Sequence, residues 1–202
     1  MQRNLYHIIR FLGIFSLLTL VIIQGCGVFE TRKAEPPQTS GGSTFVQPDQ
    51  PDIVITNLQN AVKSLNTQNY LRCFSDSSFT FNPTVGAQQS NPGIWDNWGK
   101  PQEQVYFDNM SAAAQKLTGD QLQLSNTRSE FQSSTVEQFT ADYTLTIVHN
   151  RSGSGVPTVA SGKLVFIIKS DSFGLWHITS WTDIKENSSF TWSDMKAAFI
   201  KG

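Results

Sequence analysis

The chain has 202 residues, a formal net charge of −1 and no block of basic residues. A near-neutral chain without a basic patch lacks the electrostatic footprint of nucleic-acid binding, so we predict no nucleic-acid partner. Only two cysteines and three histidines are present. They form no cluster with metal-ligand spacing, and no glycine-rich phosphate loop or nucleophile elbow occurs, so we predict no metal and no cofactor.

Residues 1–25 have the pattern of a secretory signal peptide. Two arginines precede or border an apolar run over residues 11–23, which is followed by Gln24, Gly25 and Cys26. A positive start, a short apolar middle and a small residue at the break are typical of such a leader. The end of the run resembles the lipobox of bacterial lipoproteins, although Gln24 is bulkier and more polar than the usual occupant. The resemblance implies that Cys26 is diacylated and becomes the mature N-terminus.

Two other interpretations of this leader stay open, an uncleaved transmembrane anchor and a chance cysteine. A membrane-spanning helix needs about 20 apolar residues, and extending the apolar run to Phe29 would bury Gln24. A diacylated Cys26 has the two chains that stable anchoring requires. We therefore expect a lipid-mediated membrane partner and a cell-envelope location. In bacterial lipoproteins the residue after the acylated cysteine directs sorting between the two membranes. Here that residue is Gly27 and not an aspartate, so the resemblance implies the outer membrane rather than the inner one.

Residues 26–51 are predicted to be the lipidated cysteine and a flexible linker. This stretch is rich in proline, glycine and serine and nearly free of hydrophobic residues. Such a composition cannot bury enough apolar surface to offset the entropy lost on ordering. Phe45 and Val46 are the exception and can dock on the edge of the folded domain.

The folded domain is predicted to span residues 52–202 and to begin with a helix. Proline suits a first helical position and aspartate favours the positive end of the helix dipole, so Pro51 and Asp52 mark the start. The apolar residues that follow at helical spacing are Val54, Leu58, Ala61, Val62 and Leu65. Their spacing predicts one buried helical face.

Further elements follow before the sequence changes period. Thr67 is predicted to cap a second short helix, residues 79–81 alternate like a short strand, and a loop runs on to Gly93. Pro101 is predicted to open a third helix. The buried face of this helix is expected to contain Tyr106, Met110, Ala113 and Leu117.

After residue 119 the hydrophobic period becomes twofold. Residues 137–149 alternate between apolar and polar side chains, which predicts a strand with one buried and one solvated face. The same pattern predicts strands at residues 159–169 and 175–184, and a weaker one at residues 122–131. The sequence thus predicts four consecutive antiparallel strands.

The order of two helices, a strand, a helix and four antiparallel strands resembles the NTF2-like fold. The resemblance is carried by three segments: residues 57–61, residues 69–74 and the terminal strand over residues 175–183. The resemblance implies an α+β domain in which a strongly curved antiparallel sheet wraps around the N-terminal helices as a cone with a cavity. The chain is similar to bacterial envelope lipoproteins within that superfamily. The apolar spacing after residue 187 departs from a minimal member and predicts an added amphipathic helix around Trp192.

If the cone holds a cavity, aromatic side chains are predicted to form its wall. These candidate pocket residues are Tyr70, Trp95, Trp98, Phe107 and Tyr143. The two tryptophans line the mouth of the pocket or close it as an apolar lid. Cys73 shares an apolar helical face with Tyr70 and is interpreted as core packing.

No catalytic residue is predicted. On the last strand, His177, Trp181 and Asp183 fall on one face by simple alternation, but six residues separate the histidine from the aspartate. That spacing is roughly 20 Å in an extended strand, too far for contact. Asp142 falls on the solvated face of its strand, and His149 adjoins a turn and is expected to be exposed. The interior is therefore predicted to contain no ionisable pair.

Two functions remain open. The first is a non-catalytic envelope lipoprotein whose domain binds a small apolar ligand or a protein partner. The second is a small isomerase or hydrolase that uses a buried Tyr or His in the cone. An inward-facing acid and base within hydrogen-bond reach would favour the enzyme. The second sheet face, with Val165, Ile167 and Trp181, is a possible homodimer or partner surface, or is covered by the helix around Trp192.

Overall fold

A computed structural model of the protein describes residues 45–115 and 121–201. The predictions for the leader, for Cys26 and for Leu117 lie outside these residues. Five α-helices are present in the described part, and we label them α1 to α5. They are Pro51–Ser64 (α1), Thr67–Arg72 (α2), Val85–Ser90 (α3), Lys100–Ala113 (α4) and Trp192–Phe199 (α5). Within these two ranges no helix combines the length and apolarity that crossing a bilayer requires.

Local capping explains where the short helices begin. The side chain of Asn66, not that of Thr67, caps α2 by accepting from the backbone N–H of Asn69 at 2.9 Å. Helix α3 lies inside the predicted loop, and it forms because Thr84 accepts from the N–H of Ala87 at 3.2 Å. Both caps satisfy donors that a helix start leaves free.

The strands form one five-stranded sheet in the order β1-β5-β4-β3-β2. Strand β1 is parallel to β5, and the other neighbours are antiparallel. The strands are Thr80–Asn82 (β1), Leu122–Ser133 (β2), Val136–Thr146 (β3), Val159–Ser170 (β4) and Trp176–Ile184 (β5). The predicted α+β class and the run of four antiparallel strands are confirmed.

Strand β3 has the predicted buried and solvated faces. Its odd-numbered side chains are buried, and its even-numbered ones are only partly so. Asp142 lies on the solvated side, where it accepts from Asn126 at 2.6 Å and is 3.7 Å from the ammonium of Lys163. Asp142 thus lies on the outer face, as predicted, although its side chain is only partly exposed.

Strand β5 contains a bulge at Thr179, which has no partner on β4. One extra residue reverses the alternation of side chains between the two faces. The buried positions are therefore even-numbered before the bulge and odd-numbered after it. Trp181 and Asp183 are buried, whereas His177 falls on the other face. The prediction that these three side chains share one face is wrong.

Helix α5 packs on the core side of the sheet, not on its outer face. Trp192, Met195 and Phe199 are fully buried. The ring of Trp192 lies edge-on to Trp181, with the centroids 4.6 Å apart. The expectation that Trp181 belongs to an apolar outer face, or that this helix covers that face, is wrong.

Residues 45–48 form a strap that packs against the helices and the sheet. The backbone of Val46 exchanges two hydrogen bonds with the side chain of Asn57, at 2.9 and 2.6 Å. The carbonyl of Pro48 accepts from the N–H of Trp176 at 2.7 Å. The folded part thus includes residues that composition alone assigns to the linker.

Candidate functional site

The interior between the helices and the sheet contains a buried ion pair. Glu103 lies in the first turn of α4 and Lys196 lies on α5, and both side chains are completely inaccessible to solvent. The ammonium of Lys196 donates directly to Oε1 of Glu103. The prediction that the interior holds no ionisable pair is therefore wrong.

Two neutral donors complete the environment of the Glu103 carboxylate. The indole N–H of Trp98 donates to Oε1 at 2.7 Å, and the hydroxyl of Tyr70 donates to Oε2 at 2.7 Å. Hydrogen bonds to an ionised carboxylate stabilise its charge inside a protein. Both oxygens of Glu103 are thus already engaged by protein donors.

Aromatic rings enclose the ammonium of Lys196. Its Nζ lies 3.9 Å from the ring centroid of Trp181, 4.1 Å from that of Phe81 and 5.1 Å from that of Tyr106. Such cation–π contacts stabilise a cation that has lost its water shell. Burial nevertheless lowers the pKa of Lys196 from 10.5 to about 8, although the charge of Glu103 acts in the opposite direction.

A second buried polar network lies around Asp183 on β5. Its Oδ1 accepts from the hydroxyl of Tyr143 at 2.8 Å, and its Oδ2 accepts from the N–H of Ser193 at 2.7 Å. The Tyr143 hydroxyl in turn accepts from the N–H of Trp192 at 2.7 Å. Burial raises the pKa of Asp183, whereas the hydrogen bonds from Ser193 and Tyr143 oppose this change. This network attaches the first turn of α5 to the sheet.

The buried tyrosines are hydrogen-bond donors at neutral pH. Burial raises the pKa of Tyr70, Tyr106 and Tyr143, and the nearby charge of Glu103 or Asp183 raises it further. None of them can readily lose a proton to act as a base, because the phenolate would be buried beside a carboxylate.

All five predicted pocket-wall residues are buried. Tyr70 stacks on Phe107 with the centroids 4.0 Å apart, and Trp95 lies 4.8 Å from Trp98. Tyr143 belongs to the Asp183 network and also borders an outer depression of about 300 Å³. Tyr70 and Trp98 thus bind Glu103, with Phe107 and Trp95 packed against them, whereas Tyr143 binds Asp183. Their role as a ligand-binding wall stays a prediction.

Two further residues considered in the sequence analysis, His149 and Cys73, are buried in the domain. His149 is buried, contrary to prediction, because its ring packs edge-on to Phe199 with the centroids 5.1 Å apart. Its Nδ1 accepts from the N–H of Arg151 at 3.2 Å, and its Nε2 lies 3.2 Å from the carbonyl of Pro157. Cys73 is buried as predicted, and burial raises its thiol pKa, which disfavours the reactive thiolate.

No group of three His, Cys, Asp or Glu side chains that could hold a metal ion occurs in the two described ranges. Comparison of the sequence with family models and with curated proteins finds no match. The structure, in contrast, is similar to several solved ones.

One similar structure is an NTF2-like protein from Cytophaga hutchinsonii, at a TM-score of 0.50 and 9% identity, covering 68% of this chain and 98% of that chain. Another, provisionally assigned as an aromatic ring hydroxylase from Novosphingobium aromaticivorans, has a TM-score of 0.53 and 16% identity, covering 71% and 92%. The chain has the NTF2-like fold. A third similar structure, a provisional scytalone dehydratase from the same bacterium, has a TM-score of 0.51 and 9% identity, covering 69% and 89%. At these identities the likeness establishes the NTF2-like fold and no activity.

Helical spacing alone could have located the buried pair in this NTF2-like domain. Glu103 precedes Tyr106, Phe107 and Met110 at the spacing of one helical face. Lys196 likewise lies between Trp192 and Phe199 on the buried face of α5. A charged residue in an apolar stripe needs a buried partner, and each stripe supplies one member of the pair.

Proposed function

We propose that this protein is a bacterial envelope lipoprotein, anchored through acyl chains on Cys26, whose NTF2-like domain binds a ligand or a protein partner without catalysis. The signal-peptide pattern and the small residue before Cys26 support the anchor. The residue after Cys26 supports the outer membrane rather than the inner one.

The completely buried Glu103–Lys196 pair carries the non-catalytic part of this proposal. Acid–base catalysis requires a substrate within hydrogen-bond reach of the catalytic group. In this domain Lys196, Trp98 and Tyr70 already occupy the oxygens of Glu103. Trp192 packs against Trp181 and Tyr106, two of the rings around Lys196, and has no solvent exposure. Binding is therefore expected at the surface of the domain.

Acylation of Cys26 can be tested by expressing the full chain in bacteria with a labelled fatty acid. We expect the label on wild-type protein in the membrane fraction and none on Cys26→Ser. Cys73→Ala serves as the matched control and should keep the label, because Cys73 is buried in the domain. A membrane-bound C26S protein that retains Met1 would instead indicate an uncleaved transmembrane anchor.

A small isomerase or hydrolase is the second candidate function. The observation in its favour is an acid and a base in direct contact inside the cone, next to the hydroxyl of Tyr70. Substrate could reach this pair only if α5 moved away. Incubation with enolisable ketones in D₂O would report proton abstraction by NMR. Deuterium incorporation that disappears in Glu103→Gln would favour the enzyme and contradict the non-catalytic proposal.

A homodimer remains part of the proposal. Val165 and Ile167 lie on the outer face of β4 and are only partly buried, and partly exposed apolar side chains suit a subunit contact. Native mass spectrometry of protein extracted from its membrane would count the subunits. A monomer at all concentrations would exclude this dimer.

A further inference from the structure

A depression of about 560 Å³ lies where the strap meets the end of α2 and the start of β5. This groove is separate from the buried interior. It combines apolar side chains (Phe45, Pro48 and Leu175), basic ones (Arg72, Lys100 and His177), the polar Gln47 and one carboxylate, Asp76, which is paired with Lys100. A site with an apolar wall and a few polar groups suits a small amphipathic ligand.

Arg72 carries a charge that no carboxylate compensates within the described part of the chain. Its guanidinium lies 3.7 Å from the ring centroid of Phe45. None of the salt bridges among the described residues includes it. Stacking orients the planar guanidinium and leaves the N–H groups at its edge free to donate. A guanidinium held in this way matches the two oxygens of a carboxylate or a phosphate.

The stacking partner is itself held in place. Phe45 directly precedes Val46, whose backbone forms two hydrogen bonds with Asn57. Three residues further on, Pro48 accepts a hydrogen bond from Trp176 on β5. The strap thus fixes the aromatic wall of the groove before a ligand arrives, which lowers the entropic cost of binding.

Two other basic side chains of the groove each lie beside a carboxylate. The ammonium of Lys100 donates to Asp76 and to the carbonyl of Phe74 at 3.3 Å. His177 Nε2 lies 3.5 Å from a carboxylate oxygen of Asp171. Arg72 is therefore the cation of this groove that has no carboxylate partner among the described residues, and Nδ1 of His177 is a second, unpartnered nitrogen beside it.

We propose that this groove binds the carboxylate or phosphate of a small amphipathic molecule, with the anion on Arg72 and the apolar part against Phe45, Pro48 and Leu175. The proposal rests on the proposed binding function and names its ligand class and position. The anion can belong to a soluble molecule or to a lipid headgroup. The second source is considered because the strap is the part of the described chain nearest in sequence to Cys26, the proposed lipid anchor.

The test uses the full chain held in phosphatidylcholine nanodiscs and titrated with benzoate by calorimetry. Benzamide, the neutral isostere, isolates the contribution of the charge. We expect benzoate to bind measurably and benzamide to bind much more weakly. Arg72→Gln should weaken benzoate binding about 10-fold or more, because a charge-assisted bidentate contact is lost. Arg72→Lys should fall between the two, since it keeps the charge without the planar fork.

Arg128→Gln is the matched control. Arg128 is exposed on β2 and pairs with Glu130, so its loss should leave benzoate affinity unchanged. Repeating the titration in phosphatidylglycerol nanodiscs distinguishes the source of the anion. A lower benzoate affinity there, lost in Arg72→Gln, indicates that a lipid headgroup competes for the groove. An equal affinity in both lipids and in dodecyl maltoside micelles, which contain no phosphate, indicates a soluble anion.

Equal benzoate affinity in wild type and Arg72→Gln, or no benzoate binding into the millimolar range, would overturn the proposal. Neither result bears on acylation, which the Cys26→Ser fractionation tests, or on catalysis, which the Glu103→Gln exchange assay tests. Failure of the groove and failure of the proposed function are thus distinguishable.

Discussion

Glu103 and Lys196 stabilise this fold only as a pair. Removing a charge from water costs several kcal/mol per ion, and the attraction between the partners offsets this cost only when both are present and hydrogen-bonded. Tyr70 and Trp98 supply the additional donors to Glu103. The pair therefore links α5 to α4 in the interior, whatever its net contribution to stability.

Breaking the pair from one side should be strongly destabilising. Lys196→Met is expected to lower the free energy of unfolding by about 3–5 kcal/mol, because it leaves Glu103 buried without its cation. The double variant Glu103→Gln with Lys196→Met should recover more than half of that loss. Urea denaturation measures both, with Lys201→Met at an exposed position as the control. If K196M lowers the free energy of unfolding by less than about 1 kcal/mol, the ammonium of Lys196 is accessible to solvent and the buried pair is contradicted.

Asp183 should make stability depend on pH in the acid range. Its pKa in the folded state is raised above the ordinary 3.8, chiefly by burial. Below 3.8 the folded and unfolded states are both protonated, and the contribution of this group is fully present. As pH rises, the unfolded state ionises first, so the free energy of unfolding falls until pH exceeds the folded pKa.

Asp183→Asn should remove this part of the pH dependence. Urea denaturation between about pH 4 and pH 7 gives the difference between the curves of variant and wild type. Asp142→Asn is the matched control, because Asp142 lies on the opposite, solvated face of the same sheet. Parallel curves for wild type and D183N would contradict the assignment.

At the scale of elements, β4 and the end of β5 lie so close together that no space is left for a side chain at Gly162. A Cβ atom there would lie 2.7 Å from the carbonyl oxygen of Ile184 and 3.0 Å from the hydroxyl oxygen of Tyr143. We expect Gly162→Ala to cost about 1–3 kcal/mol, since backbone must shift. Gly86→Ala in α3 meets nothing within 4 Å and should gain about 0.4–1 kcal/mol. Thermal or urea unfolding measures the stability of both variants. Equal stability of Gly162→Ala and Gly86→Ala would contradict this packing.

The start of α5 depends on a capping box. Thr191 accepts from the N–H of Asp194 at 3.4 Å, and Asp194 accepts from the N–H of Thr191 at 2.8 Å. Thr191→Ala should lower the free energy of unfolding by about 1 kcal/mol. Thr191→Ser keeps the capping hydroxyl and should therefore lower it much less. Chemical denaturation of the two variants checks the difference. An alanine variant as stable as the serine variant would indicate that the tertiary contacts alone hold the helix end.

The element order could be predicted from sequence because it depends on local periodicity, which residues 137–149 show clearly. The bulge at Thr179 could not, because a bulge is defined by the pairing with β4 and not by β5 alone. That single residue places His177 and Asp183 on opposite faces, where simple alternation predicted one shared face. The burial of His149 likewise depends on the distant Phe199, which no local pattern reveals.

The candidate site was predicted only in part. Tyr70 was predicted to line a cavity and Trp98 to line its mouth or cover it; both side chains are buried, and their role toward a ligand stays a prediction. Their partner Glu103 was missed, because an acidic residue in the first turn of a helix is also typical of a solvated helix start. Only the simultaneous position of Lys196 on a second buried stripe distinguishes the two cases.

At the scale of the whole molecule, α5 determines what the domain can do. An NTF2-like cone can enclose a cavity, but here the C-terminal helix places Trp192, Met195 and Lys196 in the interior. Lys196, Trp98 and Tyr70 occupy the oxygens of Glu103, so we expect a ligand to reach this pair only if α5 moves. The surface groove at Arg72 is the proposed place for recognition.

Amine acetylation followed by mass spectrometry tests this closed interior most directly. The account predicts that Lys185 and Lys201, which are exposed, react at once in the native protein. Lys196 should react only at the rate of global unfolding, measured separately by denaturation. Rapid acetylation of Lys196 under native conditions would show that α5 opens and that the buried acid–base pair is accessible, and would contradict the account.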